Sequence, residues 1–202
     1  MSTSQHVQAP PGMATVYRAT LDALALHGPR RVGVTHIARL ADTNRQYIYR
    51  NWPSLDVLLR DATLQELKHL LYLAREVPAS QQPPPQCRPA LMVVRAARLL
   101  REHPVVAAMA RTEPALTYTA VLRPDTVWHL TFQQWLGEHV TAHLPSAAER
   151  DTATLAVLTT ALPYALVPPA ESPDPAAERA AVDRRLSRAV HACLGLPPTC
   201  PD

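Results

Sequence analysis

Residues 34–52, VTHIARLADTNRQYIYRNW, restrict the fold more than any other part of the chain. Val34, Ile37, Ala38 and Ala41 are apolar at helical spacing, and a polar turn, Asp42-Thr43-Asn44, follows directly. A second short segment then places Ile48 and Trp52 inward. Arg45, Gln46, Tyr47, Tyr49, Arg50 and Asn51 are left outside. Two short helices joined by a tight turn, the second covered in Arg, Gln, Tyr and Asn, describe a helix-turn-helix. These side chains can reach base edges and phosphates in a major groove, so the pattern implies DNA binding.

The rest of the chain reads as helices separated by prolines. Residues 13–27 have Val16, Ala19, Thr20, Ala23, Leu24 and Leu26 near helical spacing, with Gly28 at the C′ position and Pro29 preventing continuation. Short helices follow at 35–41 and 45–51, and Ser54 caps a fourth helix that runs to about Val77. Residues 78–89, PASQQPPPQCRP, hold five prolines and read as a loop between domains. Helices are expected at 90–102, 104–111 and 125–143, with Pro114 and Pro124 bracketing a loop around an extra turn. Ser146 and Glu149 form a capping box for a helix from 147, which Pro163 should kink or end. Asp174-Pro175 opens a final helix that stops at Gly195. No strand pattern or internal repeat is present, so the fold class is all-α. The domains are expected at 1–53 for DNA binding, 54–77 for the connecting fourth helix, and 78–202 for the remainder.

Composition narrows the classes further. The chain has 202 residues, 47% hydrophobic and 18% charged, which suits a globular core. Residues 1–77 hold nine Lys+Arg against six Asp+Glu, and residues 78–202 hold eleven against eleven. The net charge of +3 therefore lies wholly in the part expected to meet phosphate. No apolar run is long enough to span a membrane, and the start lacks a signal-peptide pattern, so a cytoplasmic location is expected. Cys87, Cys193 and Cys200 have no metal-ligand spacing and read as free thiols, with a disulfide or redox role the alternative.

The first part of the chain resembles the TetR (tetracycline-repressor) family of bacterial transcription regulators. The resemblance rests on the leading helix ending in Gly28, on V-x-x-I-A-x-x-A in VTHIARLA, on the three-residue turn, and on I-Y-R-N-W-P-S at 48–54. Tyr49 and Trp52 fall on positions where the family shows Tyr and an aromatic residue. Three positions depart from it: Asp42 replaces the turn glycine, Leu55 replaces a phosphate-touching lysine, and Asn51 replaces a histidine. The resemblance implies an N-terminal three-helix DNA-binding domain and a helical C-terminal domain for ligand binding and dimerisation. It implies a homodimer through the last two helices, a palindromic double-stranded operator and a small-molecule effector.

Candidate residues follow from both readings. Arg45 and Gln46 are expected to read bases, Tyr47 to touch a thymine methyl, and Thr35, Tyr49, Arg50 and Asn51 to hold phosphates. Arg30 and Arg31 in the preceding loop lie within reach of the backbone. Trp128, Phe132, Trp135 and His139 recur at helical spacing, which fits either core packing or, given the resemblance, an effector pocket completed by Met109, Tyr118 and Tyr164. The last two helices carry Leu155, Leu158 and Leu162, and Val182, Leu186 and Val190, as expected dimer stripes. His139 and His143, one helical turn apart, lack the partners that would make a metal site. With no G-x-S-x-G, no phosphate loop and only five glycines, neither an enzyme nor a cofactor is expected. The rival readings are a helical small-molecule-binding dimer that has lost DNA binding, and a metal-dependent helical enzyme.

Overall fold

A computed structural model describes residues 12–76, 84–166 and 173–196. Ten α-helices make up nearly all of it: α1 Met13–His27, α2 Val34–Leu40, α3 Arg45–Asn51, α4 Leu55–Arg75, α5 Arg88–Glu102, α6 Pro104–Thr112, α7 Pro114–Leu122, α8 Val127–His139, α9 Ala147–Leu166 and α10 Pro175–Cys193. Among the described residues there is no β-strand, and no helix is long and apolar enough to cross a membrane. The chain divides into two compact units, residues 1–63 and 64–202, with the division inside α4.

In the first unit α1 packs on α2, and α2 on α3. Val16, Ala23, Leu24, Ile37, Ile48 and Trp52 are buried in this unit. Gly28 ends α1 with φ 71°, and its N–H donates to the Leu24 carbonyl at 2.9 Å. That left-handed backbone is where glycine avoids a Cβ clash. Asp42 also takes a positive φ, 50°, so the α2–α3 turn closes although a glycine is absent. Asp is among the few residues that tolerate this conformation.

The second unit is built around α9, which packs against α5, α10 and α8. Local caps set several of its helix ends. Ser146 and Glu149 exchange hydrogen bonds at 3.1 and 3.3 Å, and Asp174 accepts from the N–H groups of Ala176 and Ala177. Pro89, Pro104, Pro114 and Pro175 all sit in first turns, where a missing N–H removes no helical bond. Two sequence expectations change for this reason. Arg88 and Pro89 begin α5 instead of ending a loop, and Pro114 opens α7 where a loop was expected. Pro163 neither ends nor divides α9, which continues to Leu166. It lies on the exposed side, so the bond it cannot make is lost where solvent can replace it.

α8 is shorter than the expected 125–143 helix at both ends. The Thr126 hydroxyl caps its start by accepting from the His129 N–H at 3.2 Å. At the other end the N–H groups of Val140 and Thr141 both donate to the Leu136 carbonyl at 2.9 Å, and the buried Thr141 hydroxyl pairs with that of Thr154 on α9 at 2.9 Å. His143 therefore lies beyond α8, not one helical turn from His139. His129 is buried and holds the Val121 carbonyl at 2.9 Å through Nδ1, so it serves the core.

The expected dimer stripes are mostly consumed within the chain. Leu158, Leu162, Leu186 and Val190 all belong to the core of the second unit, because α9 has neighbours on more than one side. Only Leu155, 57% exposed, and the partly exposed Val182 remain near the surface. Cys87 corrects another expectation: it is buried and disulfide-bonded, whereas Cys193 is a free thiol. Spacing in sequence does not reveal which cysteines a fold brings together. Cys200 lies outside the described residues.

Candidate nucleic-acid interface and ligand cavity

The polar outer face of α3 is held from behind by two anchors. Ile48 and Trp52 are buried, and the Trp52 ring packs against Tyr17 of α1 at 5.6 Å between centroids. Asn44 caps α3, its Oδ1 accepting from the Tyr47 N–H at 2.8 Å. Such a cap stabilises a helix start by about 1 kcal/mol, which matters for a helix of only two turns. With one stripe fixed inward, Arg45, Gln46, Tyr49, Arg50 and Asn51 are exposed and Tyr47 is half-buried. Thr35, at the second position of α2, is exposed, as are Arg30 and Arg31 before it.

Two arginines on this face lie against rings of the same helix. The Arg45 guanidinium sits 6.0 Å from the Tyr49 ring centroid, and that of Arg50 lies 5.9 Å from the Tyr47 ring. These contacts, at the outer limit of cation–π range, narrow where the guanidinium groups point. Their signal was present in the sequence as the i, i+4 and i, i+3 spacings of Arg and Tyr. Asn51 differs from expectation in one respect: its side-chain NH₂ donates to the Tyr47 carbonyl at 2.8 Å, so part of its donor capacity serves the helix end. Sequence reasoning missed the stacking of His27 on His36, with centroids 4.9 Å apart, because these residues come from different helices.

The aromatic stripe of α8 turns into the second unit. Phe132 and Trp135 are buried and line a cavity of about 40 Å³ between α4, α5, α8 and α9. The other five candidate ligand residues are placed elsewhere. Trp128, Tyr118 and Tyr164 pack partly buried against the core, and Met109 is half-buried on α6. His139 lines a separate cleft of about 550 Å³ together with Arg75, Arg88, Glu138 and His143.

Burial in that cleft holds the His139 imidazole below its ordinary pKa, and the nearby positive charge of Arg75 adds to this, while Glu138 opposes it. Because the folded value is depressed, His139 favours the fold above its unfolded pKa, and that contribution is lost as pH falls through the folded value. An NMR titration of the His139 ring should give a midpoint below that of an unfolded histidine, and Arg75→Gln should raise it. An unchanged midpoint in Arg75→Gln would remove Arg75 as a cause. Among the described residues no three His, Cys, Asp or Glu side chains converge as a metal site.

No protein-family model and no curated protein sequence matches the chain. Solved structures do match it over most of its length. A TetR-family transcriptional regulator from Mesorhizobium loti superposes with a TM-score of 0.58 at 12% identity, covering 91% of this chain and 95% of that one. RolR in complex with resorcinol gives 0.55 at 15% identity, with 92% and 88% covered. A TetR-family regulator from Haemophilus influenzae gives 0.51 at 16% identity, with 88% and 94% covered. With ten helices among the described residues, a short capped α3 behind a closed turn, and this agreement along nearly the whole chain, the protein has the fold of the TetR-family transcriptional regulators.

Proposed function

We propose that this protein is a homodimeric transcriptional repressor that binds a palindromic operator and is released by an apolar or aromatic small molecule. The observation that carries the DNA-binding half is the exposed Arg45-Gln46-Tyr49-Arg50 face with the half-buried Tyr47 beside it, set on a capped helix whose opposite side is buried. A polar helix without a partner has no use for two tyrosines and two arginines aligned outward. Arg45 and Gln46 at the N-terminal end read guanine and adenine; Thr35, Tyr49, Arg50 and Asn51 hold phosphates. The turn at Asp42 is formed, which supports this reading over a dimer that has lost DNA binding.

The effector half rests on Phe132 and Trp135 sharing a cavity wall, and on RolR, of the same fold, having been solved with an aromatic ligand, resorcinol. α4 begins just after α3 and its later residues, Leu67, Leu70, Leu71 and Ala74, belong to the core of the second unit. A ligand that prefers one position of α4 would thereby change the DNA affinity of the helix-turn-helix. For the dimer, the solvent side of α9 supplies an apolar residue, Leu155, among Thr152, Ala156 and Thr159.

A mobility-shift titration with DNA flanking the protein's own gene tests the central claim. Wild-type protein should bind with half-sites one helical turn or a multiple apart. Arg45→Ala should cost about 1–3 kcal/mol and relax preference at one base position, whereas Tyr49→Phe should weaken all sequences alike. Unchanged affinity and preference in Arg45→Ala would show that Arg45 does not read a base.

A further inference from the structure

The cavity between α4, α5, α8 and α9 has an unusual wall. All thirteen lining side chains are apolar or aromatic, and among them only Trp135 carries a polar atom. Its indole Nε1–H is buried and has no hydrogen-bond acceptor. Native proteins leave few buried donors unpaired, because each costs about 1–3 kcal/mol.

Three kinds of acceptor can be compared. No neighbouring side chain of the wall offers an oxygen or nitrogen. An ordered water needs two to four polar partners, and this wall offers one, so water is poorly held. A ligand atom remains. A carboxylate or ammonium would lose its hydration with no counter-charge in the wall, and a polyol would leave most of its hydroxyls unpaired. An uncharged, mainly apolar molecule with one acceptor oxygen satisfies the indole and wastes nothing else.

Size adds a condition. A cavity of about 40 Å³ is smaller than the roughly 150 Å³ that accepts a benzene ring, so a ring must displace part of the wall. Four wall residues are alanines, Ala96, Ala97, Ala161 and Ala165, and have little to move. A ring must therefore be admitted by the larger wall side chains, among them Phe132 and Trp135 of α8.

We propose that Trp135 is the orienting donor of this site, and that its ligand is an uncharged aromatic or alicyclic molecule whose acceptor oxygen takes the indole N–H as the larger wall side chains give way. The proposal rests on the effector reading above and names the ligand chemistry of that site.

Three probes of similar shape separate the possibilities: acetophenone with a carbonyl acceptor, ethylbenzene with none, and benzoate with a charge. The full chain labelled with ¹⁵N-tryptophan gives indole resonances from Trp52, Trp128 and Trp135, and Trp135→Phe identifies the third. Acetophenone should shift the Trp135 indole resonance saturably and bind about tenfold tighter than ethylbenzene, the ratio one hydrogen bond supplies. Benzoate should leave it unmoved. Trp135→Phe should bind acetophenone no better than ethylbenzene. An indole resonance unmoved by all three probes in the wild-type chain, or equal affinity for all three, would overturn the proposal without reference to the variant.

The DNA mobility shift, repeated with the same probes, separates this proposal from the reading beneath it. If acetophenone moves the Trp135 resonance and DNA affinity is unchanged, the donor assignment stands and effector control through this site fails. If a probe releases DNA equally from wild type and Trp135→Phe with the indole unmoved, effector control stands and the Trp135 assignment falls.

Discussion

Asp183→Ala is expected to destabilise the C-terminal unit by about 3–5 kcal/mol, a large part of the stability of an ordinary domain. Asp183 on α10 accepts from Arg98 Nε at 2.7 Å and from Arg101 at 2.9 Å, both on α5. Arg101 also donates to the Tyr164 carbonyl of α9 at 2.9 Å, so one buried guanidinium ties three helices together. The Arg101 side chain is only 2% exposed, and its Nε already lacks a partner. Removing Asp183 leaves that cation without its counter-charge in a place water does not reach. Arg98 is half exposed, so Arg98→Ala should cost under about 1 kcal/mol. Urea denaturation followed by helical circular dichroism measures both. Adding Arg101→Met to Asp183→Ala should recover much of the loss, since an apolar residue of similar length needs no counter-charge. A loss below about 1 kcal/mol in Asp183→Ala would show that the buried pair does not hold these helices.

Leu186→Glu and Leu155→Glu should fail in different ways, although both lie on the last two helices. Leu186 is 0% exposed within its own chain, so a carboxylate there is buried without a partner and the second unit should not fold. Loss of the helical signal and of a cooperative melt is the expected result. Leu155 lies on the opposite, solvent side of α9, so Leu155→Glu should keep the wild-type melting temperature within a few degrees. In a two-fold dimer the charge enters the interface twice, and light scattering should show the mass fall from dimer to monomer. A Leu155→Glu protein that remained dimeric at micromolar concentration would place the interface elsewhere.

Much of the local structure was legible from the residues alone, for a definite reason. Gly28, Ser54, the Ser146–Glu149 box and Asp174-Pro175 act through bonds that span at most four residues, so their geometry is nearly independent of the rest of the fold. The third helix was equally plain. Once Ile48 and Trp52 face inward, a helix of seven residues leaves its other side chains only one face to occupy. Prolines read as breaks held at Pro29 and Pro104 but misled at Pro114, which starts a helix, because whether a proline starts or ends one depends on what the preceding chain does.

Tertiary structure alone decided the rest. The Thr141–Thr154 hydroxyl pair ties the chain after α8 to α9 across thirteen residues, and the Arg101–Asp183 pair joins residues 82 apart. An apolar stripe shows that a helix face is buried but is silent about what covers it, which is why Leu158, Leu162, Leu186 and Val190 could be read as a dimer surface. The ligand candidates divided for the same reason. Helical spacing put Trp128, Phe132, Trp135 and His139 on one stripe, yet only the packing of α4, α5 and α9 around α8 set Phe132 and Trp135 at a cavity and His139 in a different cleft. Periodicity therefore determined which residues turn inward, and the contacts between helices distant in sequence determined what each of them meets there.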